Sequence, residues 1–191
     1  MLHRCDWATH EQEITYHDHE WGVPSHDDRH LFESLILEGA QSGLSWITIL
    51  KKREGYLKAF DNFDARKISQ YSDSKINELL NNTEIVRNKL KILATISNAH
   101  IFLEIQQQWG SFDRYIWSFV DGRPHNNSWG KASDIPATSI DSHAMSDDLK
   151  KKGFKFVGPT ICYAFMQSVG MVNDHSTSCF RHAEINALHE I

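Results

Sequence analysis

Apolar residues recur at intervals of three and four along almost the whole of this chain, and no stretch alternates apolar and polar as a half-buried strand does. That period confines the chain to helix-on-helix packing, an all-α fold of about eight to ten helices. "SHDDRHLFESLILEGA" opens with a capping-box pattern at Ser25 and Asp28 and continues as a stripe of Leu31, Phe32, Leu35 and Ile36. Ser45 is placed to cap the helix that follows. Residues 86–108 read as one long helix stopped by Gly110, and "SHAMSDDLKKKG" as a helix ended by Gly153. Pro159 stands where the next helix begins, and that helix runs to Gly170. Residues 121–140, "DGRPHNNSWGKASDIPATSI", are rich in Gly, Pro, Ser and Asn and predict a loop at the boundary of two helical lobes.

The 191 residues include three cysteines, too few and too scattered for a disulfide framework, which points to a reducing cytoplasm. Arg4, Cys5 and Asp6 interrupt any apolar leader, and no stretch has the length of a membrane span, so neither a secretory leader nor a membrane contact is expected. Two cysteines lie near opposite ends, each with a histidine: Cys5 with His17, and His175 with Cys179 in "NDHSTSC". Either pair alone is weak evidence. Together, two thiolates and two imidazoles make a full tetrahedral zinc set with no position left for water, so the metal is expected to be structural. With 157 residues between the two histidines, it would clip the N-terminal segment onto the C-terminal one. His19 and His182 are near enough in sequence to compete as ligands. The third cysteine, Cys162, lies in the apolar "TICYAF" and reads as core.

A formal net charge of -5 argues against coating nucleic acid by bulk attraction. Basic clusters at 51–53, 87–91 and 150–155 read singly as solvated helix faces. "GFKFVGPT", however, joins two helices through a short turn at Gly158. The amides of the new helix N-terminus suit a phosphate, with Lys150, Lys151, Lys152 and Lys155 around them. This has the shape of a helix-hairpin-helix module for DNA backbone, over about residues 142–170; an ordinary helix turn is the alternative. In the first quarter of the chain Trp7, Tyr16, Trp21 and Trp46 accompany one acid, Glu38, on nearly the same helical face as Leu35. Aromatics are mostly core, and a buried acid is costly unless paired. Electron-rich rings around one carboxylate can also bind a flat cation.

Taken together, these segments resemble the bacterial 3-methyladenine DNA glycosylase I family of the helix-hairpin-helix glycosylase superfamily. The likeness rests on "YHDHEWGVP", "LFESLILEGAQSGLSWITILKKRE", "FKFVGPTICYAFMQSVGMVNDH" and the terminal cysteines, and it covers nearly the whole chain. It implies a single glycosylase domain over residues 1–191 with two helical lobes. It implies a structural zinc on Cys5, His17, His175 and Cys179. The implied activity is monofunctional: 3-methyladenine is flipped out of alkylated double-stranded DNA and its N-glycosidic bond hydrolysed, leaving an abasic site for base excision repair. The resemblance places the base pocket at Tyr16, Trp21, Glu38 and Trp46 with Trp7 nearby, and Glu38 is the expected catalytic group. It implies that Gln41, Gly43 and Leu44 enter the DNA where the base leaves, while Lys155 and Gly158 are expected to hold the backbone. A cytoplasmic monomer is expected. Two departures stand out. Phe156 takes the place of the first of two hairpin glycines. The superfamily's catalytic Asp after the hairpin is regarded as absent from this family, and Asp174, near that place, reads as structural.

Methylation at N3 makes adenine cationic and weakens its bond to the sugar, so the base departs neutral and no strong general acid is needed. The protein must extrude the nucleotide, at a cost of a few kcal/mol, and stabilise positive charge as the bond breaks. No lysine nucleophile lies in the pocket segments, so no strand cleavage is expected. A zinc hydrolase or deaminase would need an open ligand position and an H-x-E with P-C-x-x-C pattern, and neither motif occurs. A non-catalytic DNA-binding module would need no acid among the aromatics.

Overall fold

The computed structural model describes residues 2–189. Among them are ten α-helices: α1 (Glu11–His19), α2 (Asp28–Gln41), α3 (Trp46–Ala59), α4 (Ala65–Ile68), α5 (Asp73–Asn81), α6 (Lys89–Trp109), α7 (Phe112–Trp117), α8 (Ile140–Lys152), α9 (Pro159–Ser168) and α10 (Phe180–His189). The expected all-α class is what is found. Among the described residues the one sheet-like feature is a parallel pairing of β1 (His125–Asn126) with β2 (Val172–Asn173), too short to carry an alternation.

Helix α2 is the axis of the molecule. Every residue from Leu31 to Ala40 is buried, so this helix is covered on all sides rather than along one stripe. Helices α3, α6, α7 and α9 pack around it. The start of α2 differs from the sequence expectation. Asp27, not Ser25, is the cap: its carboxylate accepts the His30 N–H at 2.8 Å. The Ser25 hydroxyl meets the His30 ring instead. Asp28 turns outward to accept the Phe112 and Asp113 N–H groups at 2.8 and 2.7 Å, which caps α7 and locks it to α2. Helix α6 begins three residues later than expected because the Asn88 side chain accepts from the Leu90 and Lys91 N–H groups. It ends, as expected, at Gly110.

The last two helices of the core form the hairpin. Ser139 and Ser142 cap α8 reciprocally. Gly153 ends it at φ +103, a left-handed conformation that glycine adopts without steric cost. Gly158 and Pro159 then open α9 at its N-cap and first position. Two basic residues expected on solvated faces are structural. Arg53 pairs with Glu33 at 2.7 Å and Glu20 at 2.6 Å. The Lys91 ammonium donates to the Ala40 and Ser42 carbonyls at 2.8 and 2.7 Å, closing the C-terminus of α2.

Candidate active site

The ligand atoms of Cys5, His17, His175 and Cys179 all lie within 4.8 Å of one another, and all four residues are buried. The chain positions them from three directions: the N-terminal strand of coil, the last turns of α1, and the turn between β2 and α10. Cys179 Sγ is 3.4 Å from His17 Nε2 and 3.6 Å from His175 Nδ1, and Cys5 Sγ is 3.6 Å from His175 Nδ1. Zinc bonds of ~2.3 Å to sulfur and ~2.05 Å to nitrogen at a tetrahedral angle require S···N edges of about 3.6 Å, so the donor set fits.

The outer contacts agree with this. His17 Nδ1 meets Asp18 at 2.8 Å and His175 Nε2 meets the Trp21 carbonyl at 3.0 Å, which turns one lone pair of each ring toward the cluster centre. Arg4 grips the same Asp18 carboxylate at 2.8 Å. The Cys179 thiol is held far below its ordinary value, first by a hydrogen bond from Cys5 and then by the two histidines, while the same bond and burial push Cys5 up. The group can hold a metal ion, and all its positions are protein. The two competing histidines are elsewhere: His182 is engaged with the Asn127 carbonyl at 2.8 Å, and His19 is exposed.

Directly in front of this cluster is a cleft of about 280 Å³ lined by Trp7, Glu13, Tyr16, Trp21, Glu38, Gln41, Trp46, Ile135, Ala164 and Gln167. It gathers the four aromatic residues and the acid singled out in the sequence. Trp21 lies edge-on to His175 at 4.6 Å between ring centroids and to Trp7 at 5.1 Å. Tyr16 and Trp46 are 5.3 Å apart at a tilt of 55°. Each aromatic group of the N-terminal segment is therefore backed by the Cys–His cluster. Trp7 follows Cys5 by two residues, Tyr16 precedes His17, and the Trp21 carbonyl receives His175.

Glu38 comes up from α2, 4% exposed, and among the described residues makes no hydrogen bond or ion pair. Burial pushes its carboxyl up to about 8. The Trp46 indole N–H is also buried without an acceptor. Unpartnered polar groups cost stability, and two of them lining one cleft mark a place shaped for something other than stability. Glu13 is a second acid in the cleft. The sequence reading missed it because a charged residue in the first turn of a polar helix is ordinary; only the three-residue spacing from His10 hints at its role as a cap.

Asp174 is buried and accepts four hydrogen bonds of 2.7 Å, from Asn127, Trp129, Tyr163 and Gln167. Both of its oxygens are engaged by protein donors, as the structural reading of this residue expects. It fastens the 121–140 loop to α9, and Ile135 of that loop forms one wall of the cleft.

Gln41 lies at the mouth of the cleft. Gly43, at φ +78 with open space around it, and Leu44, 41% exposed, project beyond it in the turn between α2 and α3. Lys155 and Gly158 are not in the cleft; they belong to the hairpin. Phe156 occupies φ +56, the left-handed conformation that favours the glycine it replaces. The hairpin backbone is fixed by Asn98 of α6, which donates to the Lys155 carbonyl at 3.0 Å and accepts its N–H at 2.9 Å. Gly39 lets the hairpin approach α2: a Cβ there would stand 3.1 Å from Phe156. Glu38 is the preceding residue, so cleft floor and hairpin share one turn of one helix. The Lys155 side chain is exposed, whereas Lys152 is drawn back over Tyr115 and toward Asp148.

An aromatic cleft with a carboxyl on its floor, near an exposed turn and beside a helical hairpin, has the shape and chemistry to receive a flat aromatic group. Comparison with known proteins makes this specific: a family model described as methyladenine glycosylase matches residues 7–182, and the chain belongs to that family. The chain is 45% identical over 179 residues to DNA-3-methyladenine glycosylase 1 of Escherichia coli strain K12, covering 93% of this chain and 96% of that protein. It is 43% identical over 180 residues to DNA-3-methyladenine glycosylase of Haemophilus influenzae, covering 94% and 97%. A crystal structure of a 3-methyladenine DNA glycosylase I superposes with a TM-score of 0.91 at 50% identity, covering 93% of this chain and 98% of that one. A structure concerned with 3-methyladenine recognition by the Staphylococcus aureus glycosylase I gives 0.90 at 37% identity, covering 94% and 96%.

Proposed function

We propose that this protein is a monofunctional DNA repair glycosylase that releases 3-methyladenine from alkylated double-stranded DNA and leaves an abasic site. The names of its relatives favour this reading. The observation that carries it is the buried, unpartnered carboxyl of Glu38 among aromatic rings. With its titration near 8, Glu38 is neutral in the free protein at pH 7. A cationic base stacked on Tyr16 and Trp46 draws it back to carboxylate and is held; ordinary adenine carries no charge and leaves it neutral. Discrimination is thus electrostatic and acts where water is excluded. Trp21 and Trp7 close the aromatic wall. Gln41, Gly43 and Leu44 enter the duplex at the vacated position, and the hairpin with Gly158 and Lys155 holds a flanking phosphate. The base leaves neutral with the bonding electrons, and water adds to the sugar carbon.

Cys5, His17, His175 and Cys179 hold zinc, whose bound contribution is to fasten the two ends of the chain behind the pocket. The protein acts as a single domain, as a monomer, in the cytoplasm, with the helix-hairpin-helix element over about residues 142–170.

Chromatography of bases released from methylated duplex DNA tests the reading, with Glu38→Gln compared to wild type under single turnover. Wild type is expected to release 3-methyladenine. The variant is expected to lose about tenfold to a thousandfold in rate, roughly 1.4–4 kcal/mol. No free base from wild type, or equal release of unmodified adenine, rejects it.

A further inference from the structure

We propose that Glu13 is a second functional carboxylate of the cleft, a catalytic residue that faces the sugar of the flipped nucleotide and stabilises the positive charge developing there. This rests on the glycosylase reading above. Glu13 lies three residues before Tyr16 on α1, hence on the same face, and it lines the cleft together with Tyr16 and Glu38. Its two oxygens are used unequally. Oε2 accepts the Thr9 N–H at 3.2 Å, the Thr9 hydroxyl at 3.2 Å and the His10 N–H at 3.1 Å, and meets the His10 ring at 2.9 Å. Oε1 has no partner among the described residues, although Glu13 is only 9% exposed. One oxygen therefore anchors the side chain as a cap, and the other is left for the cleft.

The depth of the two acids separates their tasks. Glu38 stands on the fully buried floor, from the central helix. Glu13 belongs to the first turn of α1, beside exposed Thr9 and His10, at the rim. A nucleotide enters base first, so the floor meets the base and the rim meets the sugar. When the bond between base nitrogen and sugar carbon breaks, its electron pair leaves with the base and cancels the base's charge. The positive charge moves to the sugar carbon and ring oxygen. Water then bonds to that carbon and releases its proton to solvent. A carboxylate at the rim lowers the energy of this charged stage without forming a bond. Burial pushes the Glu13 carboxyl up, but the hydrogen bonds from His10 and Thr9 outweigh it and hold the group ionised, opposite to Glu38.

The test is single-turnover excision by Glu13→Gln, with affinity for free 3-methyladenine measured in parallel by tryptophan fluorescence. Gln still accepts the cap hydrogen bonds, so the fold is retained. The excision rate should fall about a hundredfold, and affinity for the free base, which has no sugar, should be unchanged. Glu13→Asp keeps the charge and should fall between the two. An unchanged rate, or parallel losses of rate and free-base affinity, overturns the assignment. Should the Gln variant not fold, the Asp variant alone must lose rate while keeping base affinity, and an unchanged rate there overturns the assignment equally. Wild type that releases no base would defeat the glycosylase reading itself, a separate outcome.

Discussion

Replacing Glu38 by Gln should make the protein more stable, and by an amount that depends on pH. The folded carboxyl titrates at about 8 because burial penalises its charged form, against 4.5 when unfolded. Between those values the folded protein holds a proton that the unfolded chain has released, so wild-type stability falls as pH rises, by about 1.4 kcal/mol per pH unit. The loss begins near pH 4.5 and is complete above about 8. At pH 7 it amounts to roughly 3 kcal/mol, an order-of-magnitude figure. Gln has nearly the same shape and does not titrate. Urea unfolding of both proteins from pH 5 to 8, at constant saturating zinc, isolates the effect: contributions from histidines and metal ligands are common to both and cancel in the difference. The stability advantage of Glu38→Gln should grow steadily over that range while excision slows. A difference that stays flat with pH would mean that Glu38 is ionised in the free protein, and the electrostatic account of base selection would fail with it.

Elemental analysis should find one zinc per chain, and Cys179→Ser should lose several kcal/mol of zinc-linked stability; a metal-free wild type of equal stability would contradict the clip. Asp174→Ala strands four donors, of which the Tyr163 hydroxyl is buried and the other three half-buried, and should cost about 1–3 kcal/mol in denaturant unfolding, so an unchanged stability would show that water replaces the carboxylate. Lys155→Ala should weaken binding to methylated and unmethylated duplexes alike and lower the salt slope by about 1; a loss confined to methylated DNA would move Lys155 from backbone to pocket.

The helices that bury continuous apolar faces were legible from the sequence, as were the stops at Gly110 and Gly153, because local backbone chemistry decides them. Helix α1 was not. Its buried face is Glu13, Tyr16 and His17, and a polar face buried against the Cys–His cluster leaves no apolar period to find. The cap of α2 went to Asp27 rather than Ser25 because Ser25 is committed to His30, a contact that only the folded turn creates. The cluster ligands and aromatic residues could be named from residue type and resemblance. That they form one unit, with Trp21 and Trp7 leaning on the histidines, follows from tertiary geometry alone. Glu13 stayed hidden for the same reason: its significance lies in which of two oxygens is free.

The cluster of two cysteines and two histidines also sets an order in time. Cys5 and His175 are separated by 170 positions. At ~5–20 residues per second, a ribosome needs about 10–30 s to travel from one to the other. Throughout that interval the rings of Trp7, Tyr16 and Trp21 have no support behind them, while the hairpin at 153–158 is made before His175 and Cys179. Chain synthesis therefore completes the aromatic cleft late, and a nascent chain short of Cys179 carries every aromatic residue of that cleft without the four-residue cluster behind it.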